Sequence, residues 1–107
     1  MYRTRVLLTA SLVLGLASAA RAADHEVGQK DKTFSVATLT VKAGDNIVFK
    51  NDDPITHNVF STAKANEFNL RAQAPGTSAS VTLAAEGIVE IRCAFHPKMK
   101  LVVTVRK

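Results

Sequence analysis

From Asp24 onward the apolar residues fall in short runs, most of them alternating with polar ones and separated by turn-forming residues. A period of two marks a half-buried strand, because successive side chains point to opposite faces. "HEVGQ" is a candidate first strand. "TFSVATLTV" alternates in parts, through Phe34 and Val36 and then Leu39 and Val41. "AGDN" centres a turn on Gly44 and Asp45, and "IVFKN" follows as a strand. Pro54 in "DDP" ends that strand, since proline cannot donate to a ladder. "THNVFS" is a further strand, and "TAKANEF" reads as a single short helical turn. "NLRAQ" is extended and "APGT" is a Pro-Gly turn. "SASVTLA" sets Ala79, Val81 and Leu83 against Ser80 and Thr82. "GIVEIRC" sets Val89, Ile91 and Cys93 against Ile88, Glu90 and Arg92, so Cys93 shares the apolar, inward face. "LVVTVRK" closes the chain. Seven to eight short strands at this spacing predict an all-β fold, a Greek-key β-sandwich with antiparallel pairing. No repeat, low-complexity tract or linker divides the pattern, so one domain is expected.

The first residues do not share this pattern. "MYRTR" is a basic head, "VLLTASLVLGLASAA" an apolar run from Val6 to Ala20, and "ARAA" a small-residue end. That order is a secretory signal peptide, and the run is short for a membrane-spanning helix. Cleavage after Ala22 or after Ala19 fits, with Ala23 the preferred mature start. The expected organisation is a signal peptide over 1–22 and a folded domain over 23–107, periplasmic and with no stable membrane insertion after cleavage.

Export changes the charge. The whole chain carries a formal +5, but Arg3, Arg5 and Arg21 leave with the signal, so 11 basic residues face 9 acidic ones from Ala23 onward. These basic residues are scattered, which argues against nucleic acid as a partner.

Cysteine sharpens the picture. Exported proteins usually pair their cysteines, and this chain has one, Cys93. It is a protected thiol, an intermolecular link or a metal ligand. A domain of this size often draws on a metal for stability, which favours the third. Cys93 is followed at intervals of three by His96 and Met99 in "CAFHPKM". Thiolate, imidazole and thioether form a soft set that selects copper or zinc over calcium or magnesium. Pro97 restricts the loop, and the flanking strands clamp its ends. His57, in "DDPITHNVFS", is the candidate fourth member, since loops at one end of a sandwich converge. A His–Cys–His set with a weak axial Met is the blue-copper arrangement. Met99 as ordinary core filler is the competing reading, and His25 reads as a surface strand residue without a role.

"HNVF" followed by "CAFHPKM" resembles the cupredoxins, the type 1 blue copper proteins. The two-residue gaps from Cys93 to His96 and from His96 to Met99 look most like the amicyanin branch, whose loop is shorter than that of plastocyanin. "VKAGDNIVFKNDDPITHNV" is similar to the family's strand, Gly-Asp turn, strand and histidine, and the resemblance covers roughly Val41 to Val105. It implies one type 1 copper ion held by His57, Cys93, His96 and Met99. It implies that Asn58 ties the two ligand loops together through backbone and side chain and supports the thiolate. It also implies that His96 is the exposed ligand in an apolar patch, for which Phe95, Pro97 and Ile55 are candidates. Arg92 stands where the family often has an aromatic residue or histidine, and the chain is short enough for the family to lack an edge strand.

Such a site has no open position for substrate, unlike a catalytic metal. The expected function is therefore a non-enzymatic, one-electron shuttle cycling Cu(II)/Cu(I). Its expected partners are redox proteins, with the amicyanin-like loop inviting a periplasmic dehydrogenase as donor and a c-type cytochrome as acceptor. A monomer is expected. Lys98 and Lys100 flank the site and either steer an acidic partner or simply solvate a strand end. The alternative function is a periplasmic copper carrier or copper-tolerance protein. Such proteins favour Met- and His-rich open sites without a thiolate, which this chain does not offer.

Overall fold

The computed structural model describes residues 21–107, so the expected signal peptide lies outside the described residues apart from Arg21 and Ala22. Nine strands follow: β1 (Asp24–Lys30), β2 (Thr33–Phe34), β3 (Thr38–Lys42), β4 (Asn46–Asn51), β5 (Val59–Ser61), β6 (Phe68–Asn69), β7 (Ser78–Thr82), β8 (Gly87–Cys93) and β9 (Lys100–Arg106). They form two sheets, ordered β2-β1-β4-β7 and β3-β9-β8-β5-β6. The count exceeds seven to eight because β2 and β6 are two-residue strands at sheet edges.

The pairing is mixed. β1 runs parallel to β4 from Asp24↔Asn46 to Gln29↔Asn51, and β3 parallel to β9 from Thr38↔Val102 to Lys42↔Arg106. The remaining strand pairs are antiparallel. The expectation of purely antiparallel pairing is thus corrected. Long connections carry strands across the sandwich, and alternation within a strand does not encode the direction of its neighbour.

"TAKANEF" forms a turn rather than a helical one. Asn66 N–H donates to Ala63 O at 2.8 Å, while the Asn66 amide bonds both Ala85 O (2.8 Å) and Ala85 N–H (3.1 Å). An Asn side chain with a tertiary backbone partner competes with helix formation.

The core lies between the sheets, where alternation predicts it. Val27, Ile47, Phe49, Val59, Leu83, Ile91, Leu101 and Val103 are fully buried, with Cys93 and Met99 in the same cluster. Phe49 sits between the rings of Phe34 and Phe68, at centroid distances of 6.0 and 6.2 Å. Each large apolar side chain so buried contributes about 1.5–3 kcal/mol. This packing holds β5 against β8 in the register Val59↔Cys93. That register brings the residues just before β5 beside the end of β8, which places His57 opposite the thiol.

Candidate metal centre

Two connections build the site. The first leaves β4 at Asn51 and runs through Asp52, Asp53 and Pro54 to His57. The Asn51 amide holds it in shape by donating to Ile55 O at 2.8 Å and Gln73 O at 2.9 Å, while Asn51 Oδ1 accepts from Asp53 N–H at 2.9 Å. His57 is fixed by a backbone bridge to Gln73, with N–H···O distances of 3.1 and 2.7 Å. The second connection leaves β8 at Cys93 and closes on itself where Met99 N–H donates to His96 O at 2.9 Å. Arg92 staples this loop from the neighbouring strand. Its guanidinium donates to Pro97 O at 2.9 Å and to Glu90 Oε1 at 2.6 Å. The residue that departs from the family's usual choice before the cysteine thus braces the ligand loop.

His57, Cys93 and His96 converge, each offering one donor atom within 4.8 Å of the others. Cys93 Sγ lies 3.7 Å from His57 Nδ1 and 3.6 Å from His96 Nδ1, and the two Nδ1 atoms are 3.2 Å apart. A metal bound about 2.0–2.3 Å from nitrogen and sulfur needs such donors roughly 3.2–3.8 Å from each other. The triangle already has that size. His57 is wholly buried and Cys93 nearly so, while His96 reaches solvent. Met99 follows three residues later with only 1% of its surface exposed, part of the apolar cluster that includes Cys93.

Asn58 ties the two connections together, but through its backbone. Its N–H points at Cys93 Sγ at 3.4 Å, and its carbonyl accepts from Ala94 N–H at 2.9 Å. The side chain turns away, donating to Asn69 Oδ1 at 2.7 Å. The expected side-chain tie between the loops is therefore a tie to β6.

Sequence reasoning missed Asp53. This carboxylate is buried, and its Oδ2 lies 2.6 Å from His57 Nε2. It also accepts the N–H groups of Asp31 and Lys32, which form the tight turn between β1 and β2 with φ of 53° and 57°. Burial pushes the Asp53 pKa up, but the bonds from Lys32, His57 and Asp31 outweigh it and leave the pKa below the ordinary value. An ionised Asp53 can only accept, so the proton of a neutral His57 sits on Nε2 and Nδ1 presents a lone pair to the centre. The available signal was the spacing of four between Asp53 and His57.

Around His96 the surface is apolar and basic. A groove of ≈ 420 Å³ is lined by Asp31, Lys32, Thr33, Phe95, His96, Pro97 and Lys98, with Phe95 57% exposed. Ile55, expected in the same patch, lines a neighbouring hollow with Asp31, Lys32, Asp53 and Pro54. His25 is not a bare surface residue, since its Nε2 lies 3.0 Å from Asp45 Oδ2.

A two-sheet sandwich whose loops at one end gather two imidazoles and a thiol defines a cupredoxin-type metal protein. The chain belongs to the copper-binding proteins of the plastocyanin/azurin family, whose model matches residues 22–106. Its cofactor is copper, and the soft donor set fits that ion. It is 32% identical over 99 residues to the methylamine utilization protein MauL of Methylorubrum extorquens, covering 89% of this chain and 87% of the relative. A purple cupredoxin from Nitrosopumilus maritimus superposes with a TM-score of 0.67 at 23% identity, covering 77% of this chain and 99% of that one. A reduced amicyanin variant superposes with a TM-score of 0.69 at 25% identity, covering 83% and 88%.

Proposed function

We propose that the protein carries single electrons between redox proteins in the periplasm. In this reading His57 Nδ1, Cys93 Sγ and His96 Nδ1 would hold the copper ion, with the Met99 thioether as a further, weaker sulfur donor. The ion supplies a Cu(II)/Cu(I) couple. The rest is done by the chain. Buried His57 and Cys93 keep water from the centre, and the sandwich holds one donor geometry for both oxidation states, which lowers the structural cost of electron transfer. Half-buried His96 is the edge through which the electron leaves.

The observation that carries this reading is the donor triangle, of metal-binding size and reaching solvent only at His96. A site built for substrate turnover keeps an open coordination position. Here all the donors come from side chains packed into the core or its rim. The exposed Phe95 and Pro97 beside His96, with Lys32 and Lys98 at the rim, suit a redox partner with an acidic margin. We assign a periplasmic dehydrogenase as donor, in keeping with the methylamine utilization of the MauL relative, and a c-type cytochrome as acceptor.

The test is colour. One equivalent of Cu(II) added to metal-free protein gives intense blue absorption from thiolate-to-copper charge transfer. Reduction bleaches it and reoxidation restores it over repeated cycles. Cys93→Ser abolishes it. A pale, ordinary Cu(II) spectrum from the unsubstituted protein sinks the shuttle reading.

A further inference from the structure

At the other end of β4 from Asn51 lies a carboxylate with no part in the site. Asp45 follows the Gly44 turn between β3 and β4 and is 7% exposed. Its Oδ2 accepts Lys42 N–H and faces His25 Nε2, each at 3.0 Å. Its Oδ1 accepts the N–H of Ala23, also at 3.0 Å. Ala23 is bound a second time, its carbonyl accepting Asn46 N–H at 2.9 Å. The ladder of β1 with β4 begins at the next residue, with Asp24↔Asn46. Arg21 and Ala22 are exposed and lie outside any strand. Order in the first sheet therefore starts at Ala23, and the first donor of that order points at a buried carboxylate.

We propose that Asp45 is the seat of the mature chain's α-ammonium group, created when the leader is cut between Ala22 and Ala23. This rests on the export reading above. In the cut, a leader peptidase adds one water across the Ala22–Ala23 peptide bond. Ala22 departs as a carboxylate, and the Ala23 nitrogen takes up a proton to become an ammonium. The neutral N–H that Asp45 accepts in the precursor thereby becomes a cationic donor. Charge-assisted bonds of this kind are roughly twice as strong as neutral ones. Processing thus strengthens the bond that pins the start of β1. A cut after Ala19 leaves three residues ahead of Ala23 and carries the ammonium up to about 10 Å away along an extended chain. Asp45 then keeps only an amide. The titratable side chain facing Asp45 is His25 on β1. Lys42 on β3 contributes its backbone N–H, and Asp24 on β1 is engaged by the Asn46 amide at 2.9 Å.

The test expresses the full chain in a Gram-negative host and takes the intact mass and N-terminal sequence of the periplasmic product. The expected product begins at Ala23. The α-amino group of that product is then titrated by amine labelling, folded and in urea. Its midpoint is shifted upward in the folded chain, and Asp45→Asn removes the shift. A product beginning at Ala20 overturns the proposal and leaves export standing. An uncut, cytoplasmic chain overturns the export reading and this proposal with it. A product beginning at Ala23 whose α-amino group titrates alike folded and unfolded overturns the proposal alone. That last comparison needs no variant, so it holds even if Asp45→Asn fails to fold.

Discussion

Asp53 and His57 form a buried acceptor–donor pair, Oδ2 to Nε2 at 2.6 Å, on the far side of the imidazole from the Cys93 thiol. The pair leaves His57 Nδ1 as the nitrogen that faces the thiol and the proposed metal position. The same carboxylate holds the Asp31–Lys32 turn, which lines the groove beside His96. One side chain thus braces both a proposed metal donor and the rim of the exposed face.

Asp53→Asn tests the first role at nearly constant volume. An amide can turn its NH₂ toward His57, which favours the tautomer with the proton on Nδ1 and blocks the metal-facing lone pair. Loss of such an orienting partner typically costs 10–100-fold in metal affinity. Competitive copper titration against a chelator should show a loss of about that order. The reduction potential should move as well, because the basicity of His57 changes. Unchanged affinity and potential would reduce Asp53 to a turn residue.

Asn58 gives a contrasting expectation. Its contact with the thiol comes from the backbone, and its side chain bonds Asn69 instead. Asn58→Ala should therefore leave the blue absorption and the potential close to those of the parent. It should lower stability by about 0.5–1.5 kcal/mol, the net worth of a hydrogen bond. Urea unfolding of the copper-free protein measures the second, and a spectral change comparable to that of Asp53→Asn would contradict the first.

The strands were legible because alternation writes burial into the sequence. Val89, Ile91 and Cys93 sit inward while Ile88 and Glu90 face out, as the pattern requires. "CAFHPKM" was legible as a site because sulfur is scarce in this chain and a thiol, an imidazole and a thioether at intervals of three have few other uses. What alternation could not carry was partnership. The parallel pairings of β1 with β4 and β3 with β9 depend on long crossovers. The role of Asp53 was hidden for a related reason. An acidic residue before a proline reads as a turn, and only the folded chain shows it buried between a histidine and a distant hairpin. The partner of His25 was hidden in the same way, because Asp45 lies 20 positions away in the connection between β3 and β4.

Asp45 also predicts the acid side of the stability profile. Bonds from His25, Ala23 N–H and Lys42 N–H hold its pKa at about 2, below the ordinary 3.8. The folded state therefore binds this proton less readily than the unfolded chain. The stabilisation is fully present above the ordinary value and is lost as pH falls toward the folded one. Denaturant midpoints of the copper-free protein should decline between pH 4 and pH 2, and Asp45→Asn should flatten part of that decline. Parallel pH curves for the two proteins would show that Asp45 is not the group responsible.

Met99 is the member of the proposed ligand set whose role the donor triangle leaves to spacing and burial. As a ligand it sets the potential, since the weak axial sulfur of a blue-copper site is one of its main tuning elements. As core it merely fills space beside Cys93. Met99→Leu separates the two, because the swap nearly conserves volume and usually costs less than about 1.5 kcal/mol in a core. If the sulfur touches the ion, copper stays bound through His57, Cys93 and His96, the colour persists with a shifted band, and the potential moves. Voltammetry of the purified variant reads the potential directly. A potential and spectrum matching the parent, with stability within that same margin, would make Met99 a packing residue and the site a three-donor centre.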